Sequence, residues 1–311
     1  MEASASLTSA LQAAATAVSQ VAGPAVVRIG RHGGRGCGVV VAKDRVLTNA
    51  HNLRDRTTEV TFGDGRSAQG ELAAIDGDGD IAVVTVDTGD ITPIEWAGSV
   101  PSPGAVVFAV GRTPGGGSRI TFGLISGAER AFRGPRGRQV TGSLEHTAPL
   151  ARGSSGSPVV DESGRLVGLN TARLGDGFYL ALPADAELHA RVDDLCRGTS
   201  PRRLVLGVGL APSEVAAKLR ASVGLPARSG LLVRTVEAGS AAHRAGVQVG
   251  DLLTQAGDAE LATVDDLHRA LDGARTSGSL ALHVVRGSDE LDLTVTFGQD
   301  SSEPPDAAID D

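Results

Sequence analysis

Short apolar runs, each closed by turn residues, follow one another from Ala25 to Pro183, and this pattern limits the possible folds more than any other feature of the chain. Several of the runs are rich in β-branched residues and alternate apolar with polar positions, as half-buried strands do. Strands and helices do not alternate here, which argues against a doubly wound parallel sheet. The pattern therefore predicts an antiparallel barrel or sandwich. The runs read AVVRIG, CGVVVA, RVLTNA, TEVTF, DIAVVTV, AVVFAVG, RITFGLISG, PVVDESGRLVGLN and GFYLALP.

The residue pattern changes after Pro183, where segments with helical spacing begin to occur among the strand-like ones. Residues 184–196 have the spacing of one short helix, and an amphipathic pattern predicts another over residues 6–20. Beyond residue 203, strand-like and helix-like segments form the pattern of a small α+β module. The sequence thus predicts a mainly β protein of five segments: an N-terminal helical segment 1–22, a β-rich domain 23–196, a linker 197–203, an α+β module 204–298 and an acidic disordered tail 299–311.

The net charge of −8 is unevenly distributed along the chain. The last twelve residues, DSSEPPDAAIDD, contain five acidic residues and no basic one, so both predicted domains are close to neutral. A near-neutral domain gives no indication of nucleic-acid binding. No apolar stretch approaches the roughly 18 residues of a membrane span, and the N-terminus lacks the pattern of a signal peptide. We expect a cytoplasmic protein if Met1 is the native start, and otherwise a periplasmic or cell-envelope protein with its export signal removed.

The two cysteines, Cys37 and Cys196, are far apart in the sequence. They are compatible with one disulfide and with two buried free thiols, so they do not identify the redox compartment. No group of residues has the spacing of a metal site or of a cofactor motif. We therefore expect neither a metal nor a cofactor.

Three segments together predict a serine nucleophile. The glycine- and serine-rich stretch ARGSSGSPVV contains Ser155, His51 follows the apolar run VLTNA, and Asp80 comes directly before the strand IAVVTV. Acyl transfer from an amide requires an activated hydroxyl, a base that takes its proton, and a carboxylate that orients the imidazole. Glycines beside the serine permit a sharp turn that points backbone N–H groups at one spot, as an oxyanion hole requires. Each segment alone is weak evidence, but their order along a β-rich chain is that of a catalytic triad.

These segments resemble the trypsin-like serine protease domain of the HtrA/Deg family. The resemblance implies a double β-barrel of the chymotrypsin/trypsin type, with His51 as general base, Asp80 as orienting carboxylate and Ser155 as nucleophile. It also implies an oxyanion hole formed by Gly153, Ser154 and Ser155. The resemblance is carried by GCGVVVAKDRVLTNAH, DIAVVTV, VGRTPGGGSRITFGLISGAER and TAPLARGSSGSPVVDESGRLVGLNTA.

The chain departs from the family pattern near the nucleophile. Thr147 stands where the family often has Asp, Arg152 where it has Pro, and Ser157 where it has Gly, while Cys37 replaces a frequent Ser. These differences affect the geometry of the loop more than the identity of the triad. By position relative to Ser155, the predicted S1 pocket is lined by Leu150, Leu169, Asn170 and Thr171. Because Pro149 stands where trypsin has its specificity-determining acid, we expect small or medium apolar residues at P1.

The second module resembles a permuted bacterial PDZ domain, above all in the turn GSAAHRAGVQVGD. Such domains add a C-terminal peptide to a sheet edge and bind its carboxylate with backbone N–H groups. The resemblance makes the helix that starts near Val264 the far wall of the peptide groove, with Leu267, His268 and Leu271 facing the peptide, although Leu267 and Leu271 also fit core positions. The carboxylate-binding loop is expected at Val205, Leu206, Gly207 and Val208.

The resemblance predicts an endopeptidase that cleaves unfolded or misfolded polypeptides, with the PDZ domain binding peptide C-termini. The rival class is a latched or inactive chaperone or scaffold that captures peptides through the same module. Relatives form homo-trimers through N-terminal aromatic residues, which residues 1–30 lack. The arginine-rich segment 130–138 fits either a solvated surface loop or the family's regulatory loop, in contact with a PDZ domain or an acidic segment.

Overall fold

The chain divides after Pro201 into two units, each with a hydrophobic core of its own. The fold is that of a computed structural model, which describes residues 6–31, 35–113, 117–134, 138–201 and 203–298. The tail 299–311, predicted to be disordered, lies outside the described residues. The division falls within the segment 197–203 that was predicted as a linker. The Ser200 hydroxyl accepts a hydrogen bond from the Ile75 N–H at 3.0 Å, so the chain is attached to the first unit up to this point.

The first unit contains two closed antiparallel barrels of six strands each, which confirms the predicted double barrel. The first barrel has the strand order β1-β2-β3-β6-β5-β4 and the second the order β10-β11-β12-β9-β8-β7. The strands of the first barrel are β1 (Val26–Ile29), β2 (Gly36–Ala42), β3 (Arg45–Thr48), β4 (Thr57–Thr61), β5 (Ser67–Asp76) and β6 (Ile81–Thr85). Those of the second are β7 (Val106–Arg112), β8 (Ser118–Arg133), β9 (Gln139–His146), β10 (Pro158–Val160), β11 (Leu166–Gly175) and β12 (Phe178–Pro183).

Aliphatic side chains fill both barrels, as the low aromatic content of the chain requires. Phe62 and Phe108 are the largest fully buried side chains described, and the rest of the main core is almost entirely Val, Leu, Ile and Ala. Branched side chains suit the pleated surface of a closed sheet, where each strand directs alternate residues inward. The same alternation produced the pattern read from the sequence.

Two α-helices lie in the described part of the first unit, together with the short 3₁₀ helices Gly23–Ala25 and Ala50–Asn52. Helix α1 (Leu7–Val21) begins at Ser6, whose hydroxyl accepts a hydrogen bond from the Ser9 N–H, and it buries Val18 in the barrel core. Helix α2 (Ala186–Cys196) begins at Asp185, whose carboxylate accepts a hydrogen bond from the Leu188 N–H. It packs against β5 and β6 through Leu188, Val192 and Leu195, which recur at helical spacing. Both cysteines are free thiols.

The described part of the second unit is an antiparallel sheet with three helices. Its strands follow the order β13-β14-β15-β17-β18, with the short β16 paired to β15, so β13 is an edge strand. The strands are β13 (Val208–Ala211), β14 (Leu231–Val236), β15 (Leu252–Ala256), β16 (Ala259–Glu260), β17 (Ser279–Arg286) and β18 (Asp289–Thr296). The helices are α3 (Ser213–Ser222), α4 (Ala241–Arg244) and α5 (Val264–Gly273). None of the helices in the described part of the chain has both the length and the hydropathy that a membrane crossing needs.

Candidate active site

The pairing of β3 with β6 brings His51 next to Asp80. Thr48 lies opposite Ala82 in this pair, so the turn that follows β3 meets the residue that precedes β6. Asp80 has a left-handed backbone, with φ of 55°. Its carbonyl oxygen accepts hydrogen bonds from the Ala50 N–H at 3.2 Å and from Asn49 Nδ2 at 3.0 Å. These bonds hold the Asp80 backbone in a conformation that few residues other than Gly adopt.

The Asp80 carboxylate is 1% exposed and accepts three donors. His51 Nδ1 lies 3.0 Å from Oδ1 and 2.9 Å from Oδ2, and the His51 backbone N–H donates to Oδ1 at 3.2 Å. The third donor is the Thr171 hydroxyl, which lies 2.8 Å from Oδ2 and comes from β11 of the other barrel. A carboxylate at Nδ1 fixes the tautomer with its proton on Nδ1, which leaves Nε2 as the basic nitrogen.

Ser155 lies between the two barrels. Its hydroxyl donates to the Thr171 carbonyl oxygen at 3.3 Å, and this is the one hydrogen bond of that hydroxyl within the described residues. The Ser155 carbonyl oxygen accepts from the Cys37 N–H at 2.7 Å and from Asn52 Nδ2 at 2.9 Å. Cys37 in β2 and Asn52, the residue after His51, therefore hold the Ser155 backbone against the first barrel.

The loop that carries Ser155 turns on two glycines with positive φ, Gly153 at 79° and Gly156 at 82°. The Gly156 N–H donates to the Asn170 carbonyl at 2.7 Å, and the Ser154 carbonyl accepts from the Ser157 N–H at 2.9 Å. Among the described residues, no acceptor engages the N–H groups of Gly153, Ser154 or Ser155. These are the three positions predicted for the oxyanion hole, and their donors are available to a ligand.

Cys37 lies behind this loop. Its thiol is buried and donates to the Gly153 carbonyl oxygen at 3.3 Å. Burial raises the pKa of the Cys37 thiol above its ordinary value, against smaller opposing effects of a backbone hydrogen bond and nearby arginines. A buried protonated thiol is a weak nucleophile, so Cys37 supports the loop and does not compete with Ser155.

A buried polar chain runs beneath the nucleophile loop, and the sequence reasoning missed it. The Ala148 N–H donates to His146 Nδ1 at 3.2 Å, so the His146 proton is on Nε2, which donates to Asn170 Oδ1 at 2.8 Å. Asn170 Nδ2 then donates to the Ser157 hydroxyl at 3.0 Å. Burial lowers the pKa of His146, and the hydrogen bond with Asn170 opposes this effect in part.

The residues predicted for the S1 pocket have different surroundings. Leu150 is half-buried, and its carbonyl oxygen accepts a hydrogen bond from Arg173 at 2.7 Å. Leu169 is fully buried in the barrel core. The Asn170 and Thr171 side chains bond to His146 and Asp80, as described above. Of the four, Leu150 is the one whose side chain has more than a small exposed fraction.

The residues predicted for peptide binding in the second unit lie on its edge strand and the loop before it. Leu206 and Gly207 have their carbonyl oxygens bonded to the Ala242 and Glu237 N–H groups, each at 2.9 Å. No acceptor among the described residues engages the N–H groups of Leu206 and Gly207. Val205 is exposed, and Val208 begins β13.

The helix residues predicted to face the peptide are more deeply placed. Leu267 and Leu271 are both part of the buried core of the second unit, with 3% and 6% of their surface exposed. His268 is half-buried on the same helix, α5. Leu267 and Leu271 therefore occupy core positions, which was the alternative considered from the sequence.

Comparison with known proteins identifies the family. A trypsin-like peptidase domain matches residues 36–169, and a PDZ domain matches residues 232–286. HhoB of Synechocystis sp., named as a serine protease, is 30% identical over 281 residues, which cover 86% of this chain and 67% of HhoB. The chain belongs to the HtrA family of serine proteases.

Two further matches agree with this placement in the HtrA family. Protease Do-like 1 of the Arabidopsis thaliana chloroplast is 29% identical over 286 residues, covering 85% of this chain and 63% of that protein. This chain therefore spans about two thirds of the length of the relatives it matches. A solved structure of the HtrA-type protease AlgW with a decapeptide has the same fold, with a TM-score of 0.72, 22% identity and coverage of 90% of this chain and 97% of that one.

The arginine-rich segment 130–138 forms ion pairs within the first unit. Arg138 is 9% exposed, so the prediction of a solvated loop is wrong at this position. Its guanidinium lies 2.7 Å from Asp78 Oδ2, in the turn that carries the Asp80 backbone. Arg130 pairs with Glu145 at 3.2 Å. Residues 135–137 of this segment lie outside the described residues.

Proposed function

We propose that this HtrA-family chain is a serine endopeptidase that cleaves unfolded or misfolded polypeptides. The observation that carries the proposal is the buried Asp80 carboxylate, which holds His51 Nδ1 and receives the Thr171 hydroxyl beside Ser155. The free N–H groups of Gly153, Ser154 and Ser155 add the donors that a tetrahedral oxyanion needs. Within the described residues, no three His, Cys, Asp or Glu side chains come together as metal ligands.

In the first half of the reaction, the Ser155 hydroxyl turns from the Thr171 carbonyl toward His51 Nε2. Nε2 takes its proton while Oγ attacks the scissile carbonyl carbon, and Asp80 stabilises the imidazolium that forms. The carbonyl oxygen becomes an oxyanion next to the Gly153 and Ser155 N–H groups; removing one such donor typically lowers turnover by about 10²–10³. His51 then returns the proton to the leaving amine, and the C–N bond breaks to give the acyl-enzyme.

In the second half, a water molecule takes the place of the leaving amine. His51 Nε2 removes one proton from it while its oxygen attacks the acyl carbon, and the same proton returns to Ser155 Oγ as the ester breaks. The carboxylic acid product leaves and the enzyme returns to its starting state. No co-reactant other than water is needed.

Labelling with a fluorophosphonate tests the enzyme against the scaffold. We expect labelling of the wild-type chain and none after Ser155→Ala, and we expect cleavage of an unfolded substrate such as reduced casein by the wild type only. Ser154→Ala is the matched control, because it removes a neighbouring hydroxyl and leaves the triad in place. A wild-type chain that neither labels nor cleaves, even with a PDZ-binding peptide present, would identify a latched scaffold.

For P1, we propose small or medium apolar residues. The support is Pro149, which gives no charge to the pocket, and Leu150, whose side chain is partly exposed. Because Leu169 and Asn170 turn their side chains into the core, their contribution to S1 would be through the backbone. Cleavage-site profiling on a peptide library decides this point, and a preference for Lys or Arg at P1 would contradict it.

For the second unit, we propose binding of peptide C-termini at β13. The support is the exposed edge of the sheet together with the free N–H groups of Leu206 and Gly207. Fluorescence anisotropy with a peptide that ends in a free carboxylate should show saturable binding. The same peptide with an amidated C-terminus should bind at least tenfold more weakly, and equal binding of the two would rule out carboxylate recognition. A homo-trimer is the family expectation, which sedimentation analysis tests.

A further inference from the structure

The first barrel carries a pocket next to the nucleophile that the reaction above does not use. It has a volume of about 400 Å³ and is bounded by the end of β1, the strands β4 and β5, and the turn after His51. We call it the arginine pocket, because Arg31, Arg35 and Arg54 line it. Asn52, Asp55 and Glu59 are part of the same lining.

The three arginines of the pocket are exposed, and no acidic residue in the described part of the chain pairs with them. Among the described residues, none of their guanidinium groups takes part in an ion pair or a side-chain hydrogen bond. The lining also holds Asp55 and Glu59, so its formal charge is +1 with all five groups ionised. A surface built in this way offers unused guanidinium donors, which match a carboxylate in charge and geometry.

The oxygen of a buried amide in the same wall has no hydrogen-bond partner among the described residues. Asn52 is 2% exposed, and its Nδ2 donates to the Ser155 carbonyl and to Thr48 Oγ1, at 2.9 and 3.0 Å. Its Oδ1 is buried and has no hydrogen-bond partner among the described residues. A buried acceptor without a partner is costly and rare, so the Asn52 side chain adds an unsatisfied polar group to the wall that joins the pocket to the nucleophile loop.

The pocket lies on the side of the leaving group. His51 must hand its proton to the leaving amine, so this half of the substrate lies on the His51 side of Ser155. Asn52 and Arg54 come one and three residues after His51, in the first barrel. The predicted oxyanion and S1 residues all belong to the second barrel. Arg35 is close to the nucleophile loop: a Cβ on Gly153 would lie 3.9 Å from the Arg35 carbonyl oxygen.

We propose that the arginine pocket binds the first residues after the scissile bond and selects an acidic side chain there. This inference rests on the proposed protease function and gives that function a substrate preference. An extended peptide advances about 3.3 Å per residue, so the first three residues after the scissile bond extend about 10 Å from Ser155 on the His51 side. An exposed charge pair changes an affinity by up to about fivefold, and salt weakens it.

Matched peptides test the preference. Internally quenched peptides of one sequence, with Asp, Asn or Lys at each of the three positions after the cleavage site, should be cleaved with kcat/KM in the order Asp, Asn, Lys. At the most responsive position, the ratio of Asp to Asn should be about fivefold at low salt and fall toward one at high salt. Fluorophosphonate titration of active sites corrects for the amount of competent enzyme.

Charge-neutral variants locate the preference. Arg35→Gln and Arg54→Gln should lower the Asp to Asn ratio, and the combined variant with Arg31→Gln should remove it. Arg56→Gln is the matched control, because Arg56 is exposed and close to Arg54 but does not line the pocket. This control should keep the wild-type ratio.

The outcomes separate this inference from the proposed function. An enzyme that labels and cleaves but shows a ratio of one or less, or a ratio that the triple variant leaves unchanged, would overturn the arginine pocket and leave the protease intact. An equal loss of the ratio in Arg56→Gln would assign the preference to general surface charge. A chain that neither labels nor cleaves any peptide would overturn both proposals.

Discussion

Gly156 meets two backbone requirements at once. Its φ of 82° is one that other residues rarely adopt, and a Cβ there would overlap the Cys37 carbonyl oxygen and lie 2.7 Å from Thr48 Oγ1. The glycine therefore lets the backbone of the nucleophile loop approach β2 closely enough for the Cys37 N–H to bond to Ser155. Glycine at this position therefore permits the geometry of the site, although glycine loses more conformational entropy on folding than other residues.

Replacement of Gly156 by Ala should displace the nucleophile loop. We expect the fluorophosphonate labelling rate to fall at least tenfold and the free energy of unfolding to fall by about 3 kcal/mol, since the new Cβ meets backbone as well as an unfavourable φ. Gly98→Ala is the control: φ is 76° there, and nothing lies within 4 Å of the added Cβ. It should cost about 1 kcal/mol and leave labelling unchanged. Equal effects of the two substitutions on labelling would contradict the close-approach argument.

Thr171 holds the Asp80 carboxylate from the opposite barrel. Thr171→Val keeps the shape of the side chain but removes the donor to Asp80 Oδ2, so it should lower kcat/KM by about 10- to 100-fold. This range corresponds to a hydrogen bond to a charged group, at about 1.5–3 kcal/mol. Thr171→Ser keeps the hydroxyl and should recover most of the rate. If Ser is as slow as Val, the methyl group rather than the hydroxyl matters at this position.

His146 should make the stability of the first unit depend on pH. Burial lowers the pKa of His146 in the folded state, so below about pH 6.5 the unfolded chain binds a proton that the folded chain does not. Stability from this group is complete above pH 6.5 and falls as the pH drops toward the folded pKa, by at most about 1.4 kcal/mol per pH unit. Urea unfolding between pH 5 and 8 should show a shallower acid slope in His146→Gln. The exposed His243→Gln should keep the wild-type slope, and an unchanged slope in His146→Gln would refute this assignment.

At the scale of elements, the barrels could be predicted because their information is local. Alternating apolar runs such as IAVVT define strands wherever they occur, and the glycines around Ser155 mark the nucleophile turn. The bond from Thr171 to Asp80 could not be predicted in this way, because it joins β11 of one barrel to the start of β6 in the other. The same holds for the chain from His146 through Asn170 to Ser157, which depends on the register of β12 with both β9 and β11. Long-range register decides which polar side chains meet, and a single sequence does not display it.

One ion pair, between Arg138 and Asp78, connects the β8–β9 hairpin to the turn between β5 and β6. Arg138 directly precedes β9 in the connection from β8, and Asp78 lies in the turn between β5 and β6 that places Asp80. Side-chain exposure is 10% for Arg138 and 8% for Asp78. Because both partners are mostly buried, removal of one deprives the other of a bonded counter-charge in a poorly hydrated place.

Arg138→Met should therefore lower the free energy of unfolding by on the order of 3 kcal/mol and reduce kcat, since the turn that carries Asp80 loses its anchor. Asp78→Asn should act in the same direction, and the double variant should cost less than the sum of the two. Arg197→Met removes an exposed partner of Asp194 and should cost less than about 1 kcal/mol with no change in kcat. Additive effects of Arg138→Met and Asp78→Asn would show that the pair does not couple the two elements.

At the scale of the whole molecule, two separate cores predict two unfolding transitions. Trp96 is the single tryptophan of the chain and lies in the first unit, so its fluorescence reports on that unit alone. Leu47 and Leu282 are almost fully buried, one in the barrel core and the other in the core of the second unit. Truncation of either to Ala should cost about 2–5 kcal/mol in its own unit.

Leu47→Ala should lower the midpoint of the Trp96 transition in guanidinium, whereas Leu282→Ala should leave that midpoint in place. Far-ultraviolet circular dichroism reports on both units, and in Leu282→Ala it should show an additional transition at lower denaturant concentration, because the second unit loses stability on its own. If Leu282→Ala shifts the Trp96 midpoint as far as Leu47→Ala does, the chain unfolds as one cooperative block. Peptide binding in the second unit would then stabilise the catalytic unit directly, by mass action on a shared folding equilibrium.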